Sequence, residues 1–354
     1  MLNSDSRILI VGQGIAGTIV SFKLLQQGIS HKVLDNGHKH AATKAAAGIV
    51  NPITGRNYVK SWMIDDLLPA AKTTYQDISK ILSFDYINET PILRALHTPA
   101  QENKWFSAIS KPGYVDYIVD NTTPSGAYKN IAQAANHYGI INQSFQVAIG
   151  KLITDYKNYL ADRNIYIQSS FVYELLSVHD NHVEYNNQQY DYIIFCEGYK
   201  GMKNPFFANL PFQPAKGESF ILEIEESVPD AILRDEIFLA PIRGQSIWSG
   251  GSYGWEFEDD KPTDSFSIKW KEKLDKLLLV NYSIIEHRAG VRPAVKGRKP
   301  LIGTSPQSNK LLMFNGMGTK ATSLVPYWAD HLLEHLTVGT PLNDQVNLAR
   351  FLDT

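Results

Sequence analysis

An α/β fold is predicted, in which a β-rich domain interrupts a parallel, helix-flanked one, and three observations predict it. The stretch Arg7–Gly17, RILIVGQGIAG, joins four apolar residues to a glycine turn and a further apolar run. Strand–helix units of that kind recur near the middle and at the end of the chain. Between them stand short runs that read as antiparallel strands, such as ESFILEI, IFLAPI and SIWSGGSY. Strand–helix alternation broken by a block of short strands is the pattern of a Rossmann-type domain with an inserted β-rich domain.

In chain order, Ile8–Val11 is the first strand and Thr18–Leu25 lies in the first helix. Gly12 lets the chain turn, Gly14 lets backbone approach a pyrophosphate, and Gly17 lets helix pack on strand. The helix start then offers N–H groups and partial positive charge to phosphate. Gly28 suits a helix end, and HKVLD (His31–Asp35) reads as a second strand ending in an acid. Asp35 stands 18 residues beyond Gly17, near the spacing of a carboxylate that binds ribose hydroxyls. A carboxylate there disfavours a 2′-phosphate, hence NADP, but does not separate NAD from FAD.

Further along, residues 62–82 have helical spacing broken by Pro69. Tyr114–Asp120 reads as a strand, Phe145–Asn164 as an amphipathic helix stopped by Asn164, and IYIQSS as a strand. Residues 171–198 read as a hairpin and then an apolar strand, Tyr192–Phe195, ending at Gly198. Ile268–Val280 is predicted helical. Leu311–Asn315 is predicted as a strand, with a glycine turn and a helix over Leu324–Leu336 after it.

The 354 residues are 44% hydrophobic and 20% charged, enough to bury a sizeable core, and the net charge of −2 points to no general nucleic-acid or membrane surface. The single cysteine, Cys196, excludes an intramolecular disulfide and a cysteine metal cluster. No apolar run approaches a membrane span, and the first strand begins too early for a signal peptide, so a cytoplasmic protein is expected.

The stretch Ala42–Arg56, ATKAAAGIVNPITGR, resembles the flavin-facing segment of the D-amino-acid oxidase and glycine oxidase superfamily of FAD enzymes. Its small residues Ala45, Ala46, Ala47 and Gly48 would let backbone lie against a flat ring, while Thr43 and Lys44 reach phosphate. Three more segments resemble the family in the same order: Gln213–Ile224, Ala289–Gly303 with its Gly-x-Arg-Pro, and Phe314–Pro326 with a second glycine turn. The resemblance covers nearly the whole chain. GMGTKA also resembles the Gly-Leu-Gly-x-Arg pattern in the oxidase half of the bifunctional tRNA wobble-uridine-modifying enzyme. Lys320 stands where that pattern has arginine, which weakens the tRNA reading.

The resemblance implies non-covalent FAD. Its contacts would be Gly12, Gln13, Gly14, Ile15, Ala16 and Gly17, then Asp35 and Asn36, then Thr43, Lys44, Ala46, Ala47 and Gly48. Val172, Cys196, Glu197 and Gly198 would follow, with Gly316, Met317, Gly318, Thr319 and Lys320 at the flavin's pyrimidine edge. It implies oxidation of a C–H beside an amine, in an amino acid or N-substituted glycine. A hydride passes to flavin N5 and the product imine hydrolyses; the cofactor carries the hard step. Arg292 would bind the substrate carboxylate, Lys320 would stabilise negative charge on the reduced flavin, and Tyr253 and Trp255 would wall the substrate. The FAD-binding domain is expected over 1–85, 140–210 and 286–354, and the substrate domain over 86–139 and 211–285. The alternatives are an FAD-binding sensor or complex subunit without amine turnover, an NAD-dependent dehydrogenase, or a tRNA-modifying oxidase. The small-molecule amine is the expected partner and the electron acceptor is open.

Four features read as structural. Glu197, where the family has Ser or Thr, is expected to point away from the dinucleotide. Cys196 is a small buried residue. His331 and His335 share a helix face without a third metal ligand. Lys296, Arg298 and Lys299 form a solvated loop.

Overall fold

The computed structural model describes residues 2–37, 40–123, 126–242 and 245–352. A six-stranded sheet runs in the order Tyr166–Gln168, Ser30–Asp35, Arg7–Val11, Tyr192–Phe195, Ser308–Asn315 and Leu301–Ser305. The first five strands are mutually parallel, and Leu301–Ser305 returns antiparallel against Ser308–Asn315. The strand Arg7–Val11 is apolar from Ile8 onward because both its faces are covered there. Ile8 and Ile10 join one core with the helices Ile15–Gln26 and Ala321–Val338, while Leu9 and Val11 join another with Phe195 and Met313.

The eight-stranded sheet runs Tyr282–Arg292, Ala215–Ile224, Ser246–Gly250, Phe238–Ile242, Ile232–Arg234, Ile92–Leu96, His137–Ile141 and Ile118–Thr123. Phe220, Leu222, Leu233 and Ile247 on one face pack against Phe266, Trp270 and Leu274 of the helix Asp264–Leu277. The opposite face meets the segment after the second strand of the six-stranded sheet. There Ser219 Oγ and Trp248 Nε1 both donate to the carbonyl of Ala45, at 3.1 and 3.0 Å. The strands His137–Ile141 and Tyr282–Arg292 span the domain limits expected at 140 and 286.

Three local expectations need correction. The helix Ile64–Leu82 runs through Pro69 without a break, because a proline in the second turn forfeits only one backbone bond. Phe145–Val147 is a strand between Ile49–Val50 and Ile87–Glu89, and the helix begins only at Ile149. Its stop stands as expected, with Asn164 left-handed at φ +56°. The strand expected from Tyr114 begins at Ile118, since Tyr117 and Ile118 donate backbone bonds back to Tyr114 in a turn. Ala42–Ala45 forms one helical turn before the chain extends at Ala46.

Candidate functional site

A cleft of about 490 Å³ opens at the C-terminal ends of the parallel strands, where ligands collect in such sheets. The glycine turn forms its floor. At Gly12 a Cβ would stand 2.6 Å from the carbonyl oxygen of Cys196, and at Gly17 one would stand 1.8 Å from that of Gly12. Both positions exclude a side chain, the first by strand contact and the second by helix packing. At Gly14 the nearest neighbour is Thr43 Oγ1, at an ordinary 3.5 Å. That hydroxyl accepts the N–H of Ile15 at 3.2 Å, and no side chain of Gly14 caps the helix.

The second strand delivers Asp35. Its carboxylate accepts the N–H groups of Gln13 at 3.0 Å and Gly37 at 2.7 Å, which fix it at the cleft rim. Asn36 lines the same rim. Across the cleft, Cys196, Glu197 and Gly198 end the Tyr192–Phe195 strand, and Met317, Gly318 and Thr319 precede the last helix. Asn315 joins these two turns. Its Nδ2 donates to the Gly198 carbonyl at 2.8 Å, and its Oδ1 accepts the N–H of Gly316 at 2.8 Å. Asn315 was expected only as a strand end and given no place in the site, although an asparagine there before glycine was a usable signal.

Of the residues expected at the cofactor, Gly12, Gly14, Ile15, Ala16, Asp35, Asn36, Thr43, Ala46, Cys196, Glu197, Gly198, Met317, Gly318 and Thr319 line this cleft, as does Arg292. The others lie elsewhere. The Gln13 side chain turns inward and donates to Thr18 Oγ1 and the Ile153 carbonyl, so only its backbone faces Asp35. Val172 is exposed and gives its N–H to Tyr185 Oη; its neighbours Ser169, Ser170 and Phe171 reach the cleft instead. Gly48, at φ +72°, lies against Val147, where a Cβ would stand 2.0 Å from the carbonyl oxygen. Ala47 turns its carbonyl to Gln146, and Gly316 packs on Val295 and Leu301. Lys44 stands outside the cleft lining. Lys320 points toward the 51–62 loop, where Nζ donates to Ser61 Oγ at 3.1 Å; burial lowers its pKa.

Glu197 is a lining residue of the cleft, and its carboxylate accepts Tyr173 Oη at 2.6 Å and Asn204 Nδ2 at 2.8 Å. Burial raises its pKa, partly opposed by those two bonds. Cys196 is buried as expected, and burial pushes its thiol well up. His331 Nε2 accepts the N–H of Asn343, and His335 Nδ1 bonds the Thr340 carbonyl, so both tie down the chain after the last helix. Among the described residues no group of three ligating side chains could hold a metal. Lys296 and Arg298 are exposed.

At the other end of the cleft stands Arg292, the last residue of its strand. Nη1 donates to the Ser252 carbonyl at 3.0 Å, and the guanidinium lies 4.6 Å from the Tyr253 ring centroid. No ion pair with a described Asp or Glu neutralises it, and burial lowers its pKa. Gly290, two residues earlier, is where the Ala42 turn crosses the strand; a Cβ there would stand 2.7 Å from Ala42 Cα. Thus the Gly-x-Arg spacing docks the small-residue segment and presents the arginine beside it. Tyr253 and Trp255, expected to wall the substrate, are not among the residues that line the cleft; both are more than half exposed, with ring centroids 6.1 Å apart.

A floor cleared by glycines, a helix start without an N-cap side chain of its own, a fixed carboxylate at the second strand and a long cleft together fit a dinucleotide. No described helix is long and apolar enough to cross a membrane. Comparison with known proteins identifies the fold and the family. YurR, an uncharacterized oxidoreductase of Bacillus subtilis (strain 168), is 22% identical, covering 90% of this chain and 91% of that protein. The fold is similar to glycine oxidase from Geobacillus kaustophilus, with TM-score 0.79, 15% identity and 98% of each chain covered. It is also similar to iminodiacetate oxidase from Chelativorans sp. BNC1, with TM-score 0.71, 19% identity and 98% of each chain covered. The family model described as FAD dependent oxidoreductase matches residues 7–334, and the chain therefore belongs to the DAO family of FAD-dependent oxidoreductases.

Proposed function

We propose that this enzyme oxidises the C–H beside the amine of an amino acid or N-substituted glycine, with Arg292 as the carboxylate anchor. The observation that carries this is the half-buried guanidinium of Arg292, held by a neutral carbonyl and a tyrosine face and left without a carboxylate partner among the described residues. A planar guanidinium in that state suits a two-point grip on an incoming carboxylate. The names of the structural relatives, a glycine oxidase and an iminodiacetate oxidase, support the same substrate class.

When bound, FAD supplies the two-electron acceptor for the amine-bearing carbon. The chain's own residues do the positioning. Gly12, Gly14 and the Ile15 helix start would hold the pyrophosphate, Asp35 the adenosine ribose, and Ala46 would allow close approach to the ring. Met317, Gly318 and Thr319 would face the flavin from the start of the last helix. Arg292 would fix the substrate so that its amine carbon faces the ring, and no protein base is required when the amine is already neutral. Water then converts the imine product to a carbonyl compound and an amine. In this reading the six-stranded sheet belongs to the FAD domain and the eight-stranded sheet to the substrate domain. The cytoplasmic placement is carried with it.

The test is anaerobic mixing of the purified yellow protein with a panel of amino acids and secondary amines. Bleaching of the flavin by a carboxylate-bearing amine supports the reading. A panel that leaves the flavin oxidised throughout favours a flavoprotein that senses or assembles without amine turnover.

A further inference from the structure

The cofactor-side face of the eight-stranded sheet holds two more arginines. Ser219, Gly250, Phe238, Arg234, Arg94 and Gly139 are successive cross-strand partners, so they share one face. That face includes the Ser219 hydroxyl bonded to Ala45, hence it looks toward the small-residue segment. At each end of the row an indole covers a glycine. The Trp248 ring lies 2.4 Å from where a Cβ on Gly250 would stand, and the Trp105 ring lies at the same distance on Gly139. Between these apolar ends Arg234 and Arg94 stand side by side, both only partly buried.

Two like charges side by side are unfavourable unless something anionic meets them. Asp235 and Glu236 lie close enough to act on Arg234, but among the described residues neither arginine forms an ion pair with a carboxylate. Arg234 donates from Nη1 to the carbonyls of Asp235 at 2.6 Å and Glu236 at 2.7 Å, and its guanidinium lies 4.4 Å from the Phe238 ring centroid. Arg94 donates one long bond, 3.4 Å, to the Asp235 carbonyl, faces the Tyr58 ring at 5.9 Å, and keeps Nε buried without a partner. The carboxylate oxygens of these two residues bond other groups: Asp235 holds His97 and the Glu236 N–H, and Glu236 holds Lys273. Tyr253 links this pair to the anchor. Its ring stacks on Arg292, and Tyr253 stands with Asp235 and Glu236 in the electrostatic surroundings of Arg234.

We infer that Arg234 and Arg94 form a second carboxylate subsite, so that the preferred substrate is an amino acid or N-substituted glycine bearing two carboxylates. Arg292 grips one carboxylate, and the Arg234–Arg94 pair grips the other across Tyr253. This deepens the amine-oxidation reading and rests on it for turnover, but the subsite itself can be read by binding alone.

The experiment compares matched ligands on the FAD-loaded enzyme. Turnover of iminodiacetate, aspartate and glutamate (both enantiomers) is set against glycine, sarcosine and alanine. Thermal shift and flavin absorbance titrations set glutarate against butyrate. A guanidinium–carboxylate bond of about 1.5–3 kcal/mol predicts a preference for the two-carboxylate ligand of roughly 10- to 150-fold. Arg234→Gln and Arg94→Gln should each lower that selectivity ratio about tenfold or more, through KM rather than kcat, and Arg234→Lys should restore part of it. A wild-type ratio near one overturns the subsite. So does an equal decline on both ligand classes in the variants. If no amine bleaches the flavin, the oxidation reading fails, and the glutarate–butyrate contrast still decides the subsite. If Arg234→Gln does not fold, Arg94→Gln and that same contrast decide it.

Discussion

The guanidinium of Arg292 lies on the backbone of Gly217: a Cβ at residue 217 would stand 2.0 Å from Nη2 and 2.3 Å from Cζ. These residues sit on the neighbouring strands Tyr282–Arg292 and Ala215–Ile224, where Arg292 pairs with Ala215. The missing side chain is what gives the arginine its bed. Gly217→Ala must therefore push the guanidinium aside. A misplacement of about 1 Å can cost on the order of 100-fold in rate, and that loss is expected in kcat/KM for carboxylate substrates. Bound FAD per chain should stay near wild type. Unchanged kinetics in a folded Gly217→Ala protein would count against the anchor.

Arg292→Ala removes the anchor itself. Truncating one partner of a buried charge pair costs about 2–5 kcal/mol, or roughly 30- to 3000-fold in use of carboxylate substrates. Arg292→Lys should recover only part, because an ammonium cannot make the planar double contact. Flavin reduction at varied substrate concentration, with FAD stoichiometry checked, measures both.

Asp35 should matter for the cofactor and not for the amine. Its carboxylate is fixed by two backbone N–H groups at the cleft rim. Loss of a hydrogen bond to a charged group costs about 1.5–3 kcal/mol, so Asp35→Ala should raise the FAD dissociation constant roughly 10- to 150-fold. Fluorescence of released flavin reports it. KM for the amine, measured at saturating FAD, should change little.

His31 predicts the acid limb of stability. It is buried beneath the first helix, with Nε2 against Ser21 Oγ at 2.8 Å and Nδ1 near the Ile29 carbonyl. Burial lowers its pKa from 6.5 to about 4. The folded pKa lies below the unfolded one, so this contribution is whole above pH 6.5 and is lost as the pH falls through 4. In that window the unfolded chain binds one more proton, giving a slope of about 1.4 kcal/mol per pH unit and a total of about 3 kcal/mol. Chemical denaturation from pH 7 to 4 should show this slope. His31→Gln should flatten it, and a variant with the wild-type slope would assign the acid limb to other groups.

Local chemistry made much of this molecule legible. The four apolar residues before Gly12 could only be a strand covered on both faces, and Gly12, Gly14 and Gly17 each had a separate steric reason. Asp35 followed from spacing, and Gly290 with Arg292 from the family pattern. Element ends were read less well. Phe145–Val147 looks like helix by periodicity, yet pairs with residues 49–50 and 87–89, which are far away in sequence. Pro69 reads as a break, but only its place in the second helical turn tells how little it costs.

Side-chain direction was decided by the tertiary structure alone. Gln13 and Glu197 were both expected at the cofactor, yet the amide is drawn inward by Thr18 and Ile153, and the carboxylate is held by Tyr173 and Asn204. Those partners stand from 5 to 140 residues away. The same holds for Gly217 beneath Arg292, for Asn315 between two turns, and for Arg94 beside Arg234. By itself the sequence determined the turn chemistry, the strand polarity and the family, because these depend on residues near one another along the chain. Which side chains meet across the cleft depends on sheet register and crossing strands, and packing settles those only once the whole chain has folded.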